Sequence, residues 1–128
     1  MGSPAAKQGD KIVAVDIHQI QPPTPASTVM LPFPFMGVIN GGLCPSVNIM
    51  GMPAATVDST ATNTPPHIPT GGTFVNAPGN KATIVEGSTS VNIGGKPAAR
   101  AGDKGDTCND DGQTKGGTVV AAGSVFIG

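Results

Sequence analysis

Two histidines, two cysteines and a few carboxylates are the residues of this chain with metal chemistry to offer. Their spacing is informative. His18 lies eight residues after Asp10, and His67 lies eight residues after Ser59. Asp10 and Ser59 end two matching segments, so the imidazoles hold equivalent places in two copies of one unit. A lone histidine is more often a polar surface residue than a ligand. Two at equivalent positions of a closed ring are different, because the ring gathers equivalent loops around its axis. A third copy ends at Asp103, with Cys108 five residues further on and Asp111 eight. Imidazole, thiolate and carboxylate are donors that zinc takes in a four-coordinate, tetrahedral site. His18, His67 and Cys108 are therefore expected as three ligands of a metal. For the fourth, Asp111 has the right repeat phase. Cys44 has the right chemistry, but it aligns with Ser88 and Ala122 on the strand side away from the loops. A water or an open position is the remaining option. Thiolate plus imidazole favours zinc (Zn), with iron (Fe) as the alternative.

The elements that must position these residues are the repeats themselves. SVNIMGMPAATVDS, from Ser46 to Ser59, matches SVNIGGKPAARAGD, from Ser90 to Asp103, at an offset of 44 with no gap. A third copy is split: Ser124 to Gly128 supplies SVFIG, and Gly2 to Asp10 supplies GSPAAKQGD. Such a unit, repeated three times and cut once by the termini, predicts a closed ring of approximate threefold symmetry with the termini side by side. Val47, Asn48 and Ile49 alternate apolar, polar, apolar, as do Val91, Asn92 and Ile93, which is the period of a half-buried strand. Gly51 and Gly95 supply turns, and Pro53 and Pro97 end the pairing or place it at an edge. The two alanines after each proline suit a narrowing interior. Thr83 to Val85 and Thr118 to Ala121 read as further strands. No window keeps apolar residues at helical spacing, so the fold is expected to be all-β, a single domain over 1–128. Two segments interrupt the ring. One is a Pro-rich insertion at 21–40, read as a surface loop or as a contact arm packed on the ring or its partner. The other is a Pro- and Gly-rich loop insertion at 60–80.

Composition excludes several functions. Net charge is −1 and only 12% of residues are charged, so the basic footprint of a nucleic-acid binder is missing. The four aromatic residues are all Phe, too few for a base-stacking platform. The most apolar window, Val29 to Ile39, is short and broken by Pro32 and Pro34, whereas a membrane helix needs about 20 apolar residues. The start, MGSPAAKQGDK, predicts no secretory signal. In a reducing compartment the two cysteines are then expected as thiols rather than a disulfide. Gly and Pro together make a quarter of the chain, and few large apolar side chains are left for a core. A small fold of this kind needs a staple such as a metal.

These repeats resemble the PAAR (Pro-Ala-Ala-Arg) family. Pro97-Ala98-Ala99-Arg100 is the literal motif, followed by Gly102-Asp103. Pro53-Ala54-Ala55-Thr56 and Pro4-Ala5-Ala6-Lys7 are near copies. The resemblance implies a pointed, three-sided β cone with zinc near its vertex, whose base sits on a trimeric β-helical (VgrG-like) spike protein. Type VI secretion systems and related phage tail-like contractile injection particles use such spike tips for membrane puncturing. The implied life cycle is cytoplasmic until assembly and ejection, then extracellular or inside a target cell. The family's site of three histidines and one cysteine cannot be reproduced here, since no third histidine exists. The second copy ends Val57-Asp58-Ser59, without the Gly-Asp of the other two.

The function expected on this reading is a non-enzymatic tip that caps and sharpens the spike, one copy per trimer, with effector proteins as further cargo partners. A metal-dependent hydrolase is the alternative from another class, since an open zinc position can activate water. No general base at a telling spacing and no nucleophile turn supports it. A stand-alone effector adaptor is the third reading. Candidate base residues for the spike are Val47, Ile49, Met50 and Met52, with Val91, Ile93, Val125 and Ile127 in equivalent places. The alternation allows half of these to form only the interior.

Overall fold

The computed structural model describes residues 2–128 and turns each repeat copy into the same short antiparallel hairpin. Strand β1 (Ser3–Pro4) pairs with β13 (Phe126–Ile127), β4 (Cys44–Ile49) with β5 (Met52–Ala54), and β9 (Asn92–Ile93) with β10 (Lys96–Pro97). Their registers match: Ser3 faces Ile127, Met52 faces Ile49 and Lys96 faces Ile93. Two hairpins close through two-residue turns with positive φ at both positions, 51° and 84° at Met50-Gly51 and 60° and 85° at Gly94-Gly95. This turn type matches strand twist and favours glycine. In the third hairpin the chain termini stand where the turn would be.

After each hairpin the Pro-Ala-Ala steps lock the copies together. The Ala6 N–H donates to Ala99 O (2.9 Å), Ala99 N–H to Ala55 O (3.1 Å), and Ala55 N–H back to Ala6 O (3.0 Å). The result is a closed triangle of backbone hydrogen bonds. All three alanines are fully buried, and a larger side chain would push the copies apart. Each copy then makes a turn whose last side chain caps the first N–H. Asp10 accepts from Lys7 N–H (3.1 Å) and Asp103 from Arg100 N–H (2.7 Å). Ser59 does the same for Thr56 N–H through its hydroxyl (2.9 Å). The missing Gly-Asp of the second copy is thus replaced function for function, and Asp58 takes the positive φ (77°) that Gly9 and Gly102 hold in the other copies.

Beyond these turns the chain enters a closed barrel of six strands: β2 (Lys11–Gln21), β3 (Val29–Gly41), β6 (Thr60–Asn63), β8 (Lys81–Ile84), β11 (Lys104–Asp106) and β12 (Gly117–Val120). Strand β12 returns to β2 and closes it, while β7 (Thr73–Phe74) adds to the far end of β2. No helix occurs among the described residues. Ile12, Phe35, Ile39, Ala61, Ala82, Ile84 and Val119 form one buried cluster with Ala6, Ala55 and Ala99. On the hairpin side, Ala5, Ala54 and Ala98 pack with Ile49 and Ile127.

Of the candidate base residues, Val47, Met50, Met52, Val91 and Val125 are exposed. Ile49 and Ile127 are buried in the interior and Ile93 packs against them, as the alternation allowed. The Pro-rich segment 21–40 differs from its expectation. Most of it is β3, which pairs with β2 over ten residues, from Lys11 facing Val38 to Ile20 facing Val29. Met36 turns its backbone toward the β6 side, donating to Asn63 Oδ1 and accepting from Thr64 N–H. By alternation Pro32 and Pro34 face the same way, and β6 ends at Asn63. The prolines thus occupy an open edge where no N–H is required and where further strand pairing is blocked. The 60–80 segment contributes β6 and β7 rather than only a loop.

Candidate metal centre

Strand β2 builds the site by alternation. Ile12, Asp16, His18 and Ile20 point inward and are buried, while Val15 points out. The chain after β6 brings in His67, whose N–H donates to Asn80 Oδ1 at 2.9 Å. The chain after β11 brings in Cys108. Asp16, His18, His67 and Cys108 each offer one ligand atom, and these atoms all lie within 4.8 Å of one another. His67 Nε2 stands 2.8 Å from Asp16 Oδ2, Cys108 Sγ 3.2 Å from the same oxygen, and Cys108 Sγ 3.7 Å from His18 Nε2. His18 Nε2 is 4.0 Å from Asp16 Oδ2. Donors at about 2.0–2.3 Å from a tetrahedral zinc are separated by about 3.3–3.8 Å, so the cluster spans the right size for one ion.

In the arrangement described, protons do the joining. Thr107 donates its hydroxyl hydrogen to Asp16 Oδ1. The Cys108 thiol donates to Asp16 Oδ2, and its pKa is pushed up to about 11, first by burial and then by that hydrogen bond. Asn63 has its Oδ1 engaged by Met36 N–H and turns its NH₂ toward His67 Nδ1 at 3.3 Å. That leaves His67 Nε2 as the protonated nitrogen, donating to Asp16. Two nitrogens, one sulfur and one oxygen converge on a point shielded by Phe33 and Phe74, whose rings sit 5.6 Å from that of His18. The donor set fits a structural zinc: Asp16, His18, His67 and Cys108 would hold it, and the ion would tie β2 to the chain after β6 and after β11.

The repeat phase places His18 and His67 together, with ring centroids 5.0 Å apart. Asp111 stands apart: it is exposed, and its Oδ1 accepts from Gln113 N–H. The cause lies in the third copy. Strand β11 ends at Asp106, and the chain then runs along β2, with Asn109 Oδ1 accepting from Ile17 N–H (2.7 Å) and Asp110 Oδ2 from Gln19 N–H (2.9 Å). Residue count after Asp103 therefore stops matching the other copies. Cys44 lies in β4 on the hairpin side, bonded to Ser46 at 3.3 Å, which lowers its pKa. Asp16 was missed by the phase argument because its equivalents, Pro65 and Asn109, are not matching acids. Its signal was the two-residue step to His18 on one strand face.

His67 also borders an open groove of about 500 Å³ between β3 and residues 63–70, lined largely by Pro32, Pro34, Met36, Pro65, Pro66 and Ile68. Its polar lining is limited to Asn63, Thr64, His67 and Thr70, with no carboxylate and no cysteine among them.

A ring of three near-identical strand-turn units, closed on itself and carrying a candidate metal cluster in the barrel beyond, defines a pseudo-threefold, all-β domain. A family model described as PAAR motif matches residues 36–108, more than half of the chain, and the chain belongs to that family. Membership supports a spike-tip role in contractile injection systems, in association with a spike such as VgrG. No curated protein matches the chain. Among the described residues no helix is long and apolar enough to cross a membrane.

Proposed function

We propose that residues 1–128 act as one non-enzymatic unit that caps and sharpens a trimeric β-helical spike. The hairpin face is the base, one copy sits on three spike chains, and a zinc held by Asp16, His18, His67 and Cys108 staples the far end. Asp16 takes the place for which Asp111 and Cys44 were weighed. The observation that carries this reading is the threefold display on the hairpin face. Val47, Val91 and Val125 occupy equivalent places and are 36%, 36% and 40% exposed, so three similar apolar surfaces meet three identical ones. Four protein donors leave a tetrahedral ion no open position for water, which argues against hydrolysis. Effector carriage is a second reading, favoured by the exposed apolar side chains of Val15, Met30, Met36 and Ile68 on the barrel flank.

Coexpression with a trimeric spike protein, followed by native mass spectrometry, tests the main reading. A mass of one tip on three spike chains is expected. Met52→Arg, which adds a charge to a side chain already 37% exposed, should weaken docking at least tenfold while leaving the melting temperature unchanged. A complex with three tips on three spike chains would refute the symmetry argument.

A further inference from the structure

His18 is fully buried, yet its Nδ1 has no hydrogen-bond partner. Asp110 Oδ2 lies 3.4 Å from it, just beyond ordinary N–H···O length. That carboxylate is not free to wander. Its Oδ2 accepts from Gln19 N–H at 2.9 Å, and the Asp110 N–H donates to Ile17 O at 2.8 Å. The ring is equally confined, edge-on to both Phe33 and Phe74. A neutral imidazole carries one proton. Placed on Nε2, it would set the Nδ1 lone pair against a carboxylate and aim a hydrogen into the ligand cluster. On Nδ1 it points at Asp110 and leaves the Nε2 lone pair facing Cys108 and Asp16.

We propose that Asp110 is a positioning residue for His18, accepting its Nδ1–H, fixing the tautomer that presents Nε2 to the cluster, and so raising metal affinity. The inference rests on the metal-binding reading of Asp16, His18, His67 and Cys108. A ligating histidine commonly donates its other N–H to a carboxylate, and losing that partner costs about 10- to 100-fold in affinity. Asp110 thereby also couples the cluster to the docking of residues 107–111 along β2.

Asn109 supplies the control. It anchors the same stretch to β2 by accepting from Ile17 N–H, and its other side-chain hydrogen bond goes to Thr107 Oγ1 rather than to His18. In the full-length protein, zinc affinity is measured by competition with a chelator, and the His18 tautomer by ¹⁵N NMR of the metal-free form. Asp110→Ala should lose about 10- to 100-fold in zinc affinity and shift His18 from the Nδ1–H to the Nε2–H tautomer. Asn109→Ala loosens the same stretch, so it should lose less affinity than Asp110→Ala, and it should leave the tautomer alone. Equal losses in the two variants, or an unchanged tautomer in Asp110→Ala, would overturn the proposal. If the wild-type protein takes up no zinc, the metal reading fails by itself, while the tautomer still decides whether Asp110 orients His18.

Discussion

At neutral pH the Cys108 thiol of the metal-free protein keeps its proton, since burial and the Asp16 carboxylate push its pKa up to about 11. In an unfolded chain a thiol titrates near about 8.5. The folded state therefore holds this proton more tightly. The stability it contributes is complete below about pH 8.5 and is lost as pH climbs through about 11. Zinc requires the thiolate. Each ion bound in the neutral range should then release about one proton, and apparent affinity should rise about tenfold per pH unit, or about 30-fold from pH 7.5 to 9. Calorimetry in two buffers of different ionisation enthalpy counts the protons, and chelator competition across the pH range gives the slope. Cys108→Ser should abolish both the release and the slope. In the loaded protein the alkaline loss of stability should also vanish, because the thiolate is already formed. A flat affinity with no proton released would show that the thiol is no ligand, or that its environment does not hold the proton as the geometry demands.

The ligand set itself is testable by substitution. His18→Ala, His67→Ala and Asp16→Ala should each lower zinc content by elemental analysis and reduce the melting temperature by more than about 5 °C, whereas Asp111→Ala and Cys44→Ser should do neither. Full occupancy in the His18→Ala, His67→Ala double variant would remove both histidines from the site. The capped turns should rank by charge. Asp103→Ala strips acceptors from Arg100 N–H and its guanidinium, the latter at 2.8 Å, and should cost about 2–3 kcal/mol in urea unfolding. Ser59→Ala loses two neutral bonds and should cost about 1–2 kcal/mol. Equal costs would mean that the carboxylate adds nothing beyond the hydroxyl.

Much of the ring was legible because its information is local. Alternation at Val47 to Ile49, glycine at the turn and proline after it each restrict the backbone within a few residues, and the threefold copying repeated the message. The pairing of Ser3 with Ile127 followed from the same unit being split by the termini. Residues 21–40 were not legible as a strand, because proline is compatible with β structure only where its missing N–H faces an open edge. Which side of β3 Pro32 and Pro34 face depends on where β6 ends, a tertiary fact. The two histidines come together because both obey the repeat phase. Asp16 has no matching acid in the other copies, and Asp111 keeps the count but not the path. Side chains of Asn109 and Asp110 take up the β2 backbone where a third long strand would have continued.

The alanine triangle has a kinetic consequence. Each of its three bonds joins residues far apart in the chain, so none forms until long loops have closed, and closure entropy is spent before any reward arrives. Such a topology should fold slowly and in one cooperative step, with fragments of one or two copies left open. The same interlock governs failure under load. A force along the ring axis divides among three crosslinked hairpins, and no single copy can peel away without breaking its bonds to both neighbours. A ring that closes only when all three copies meet is also one that opens only as a whole.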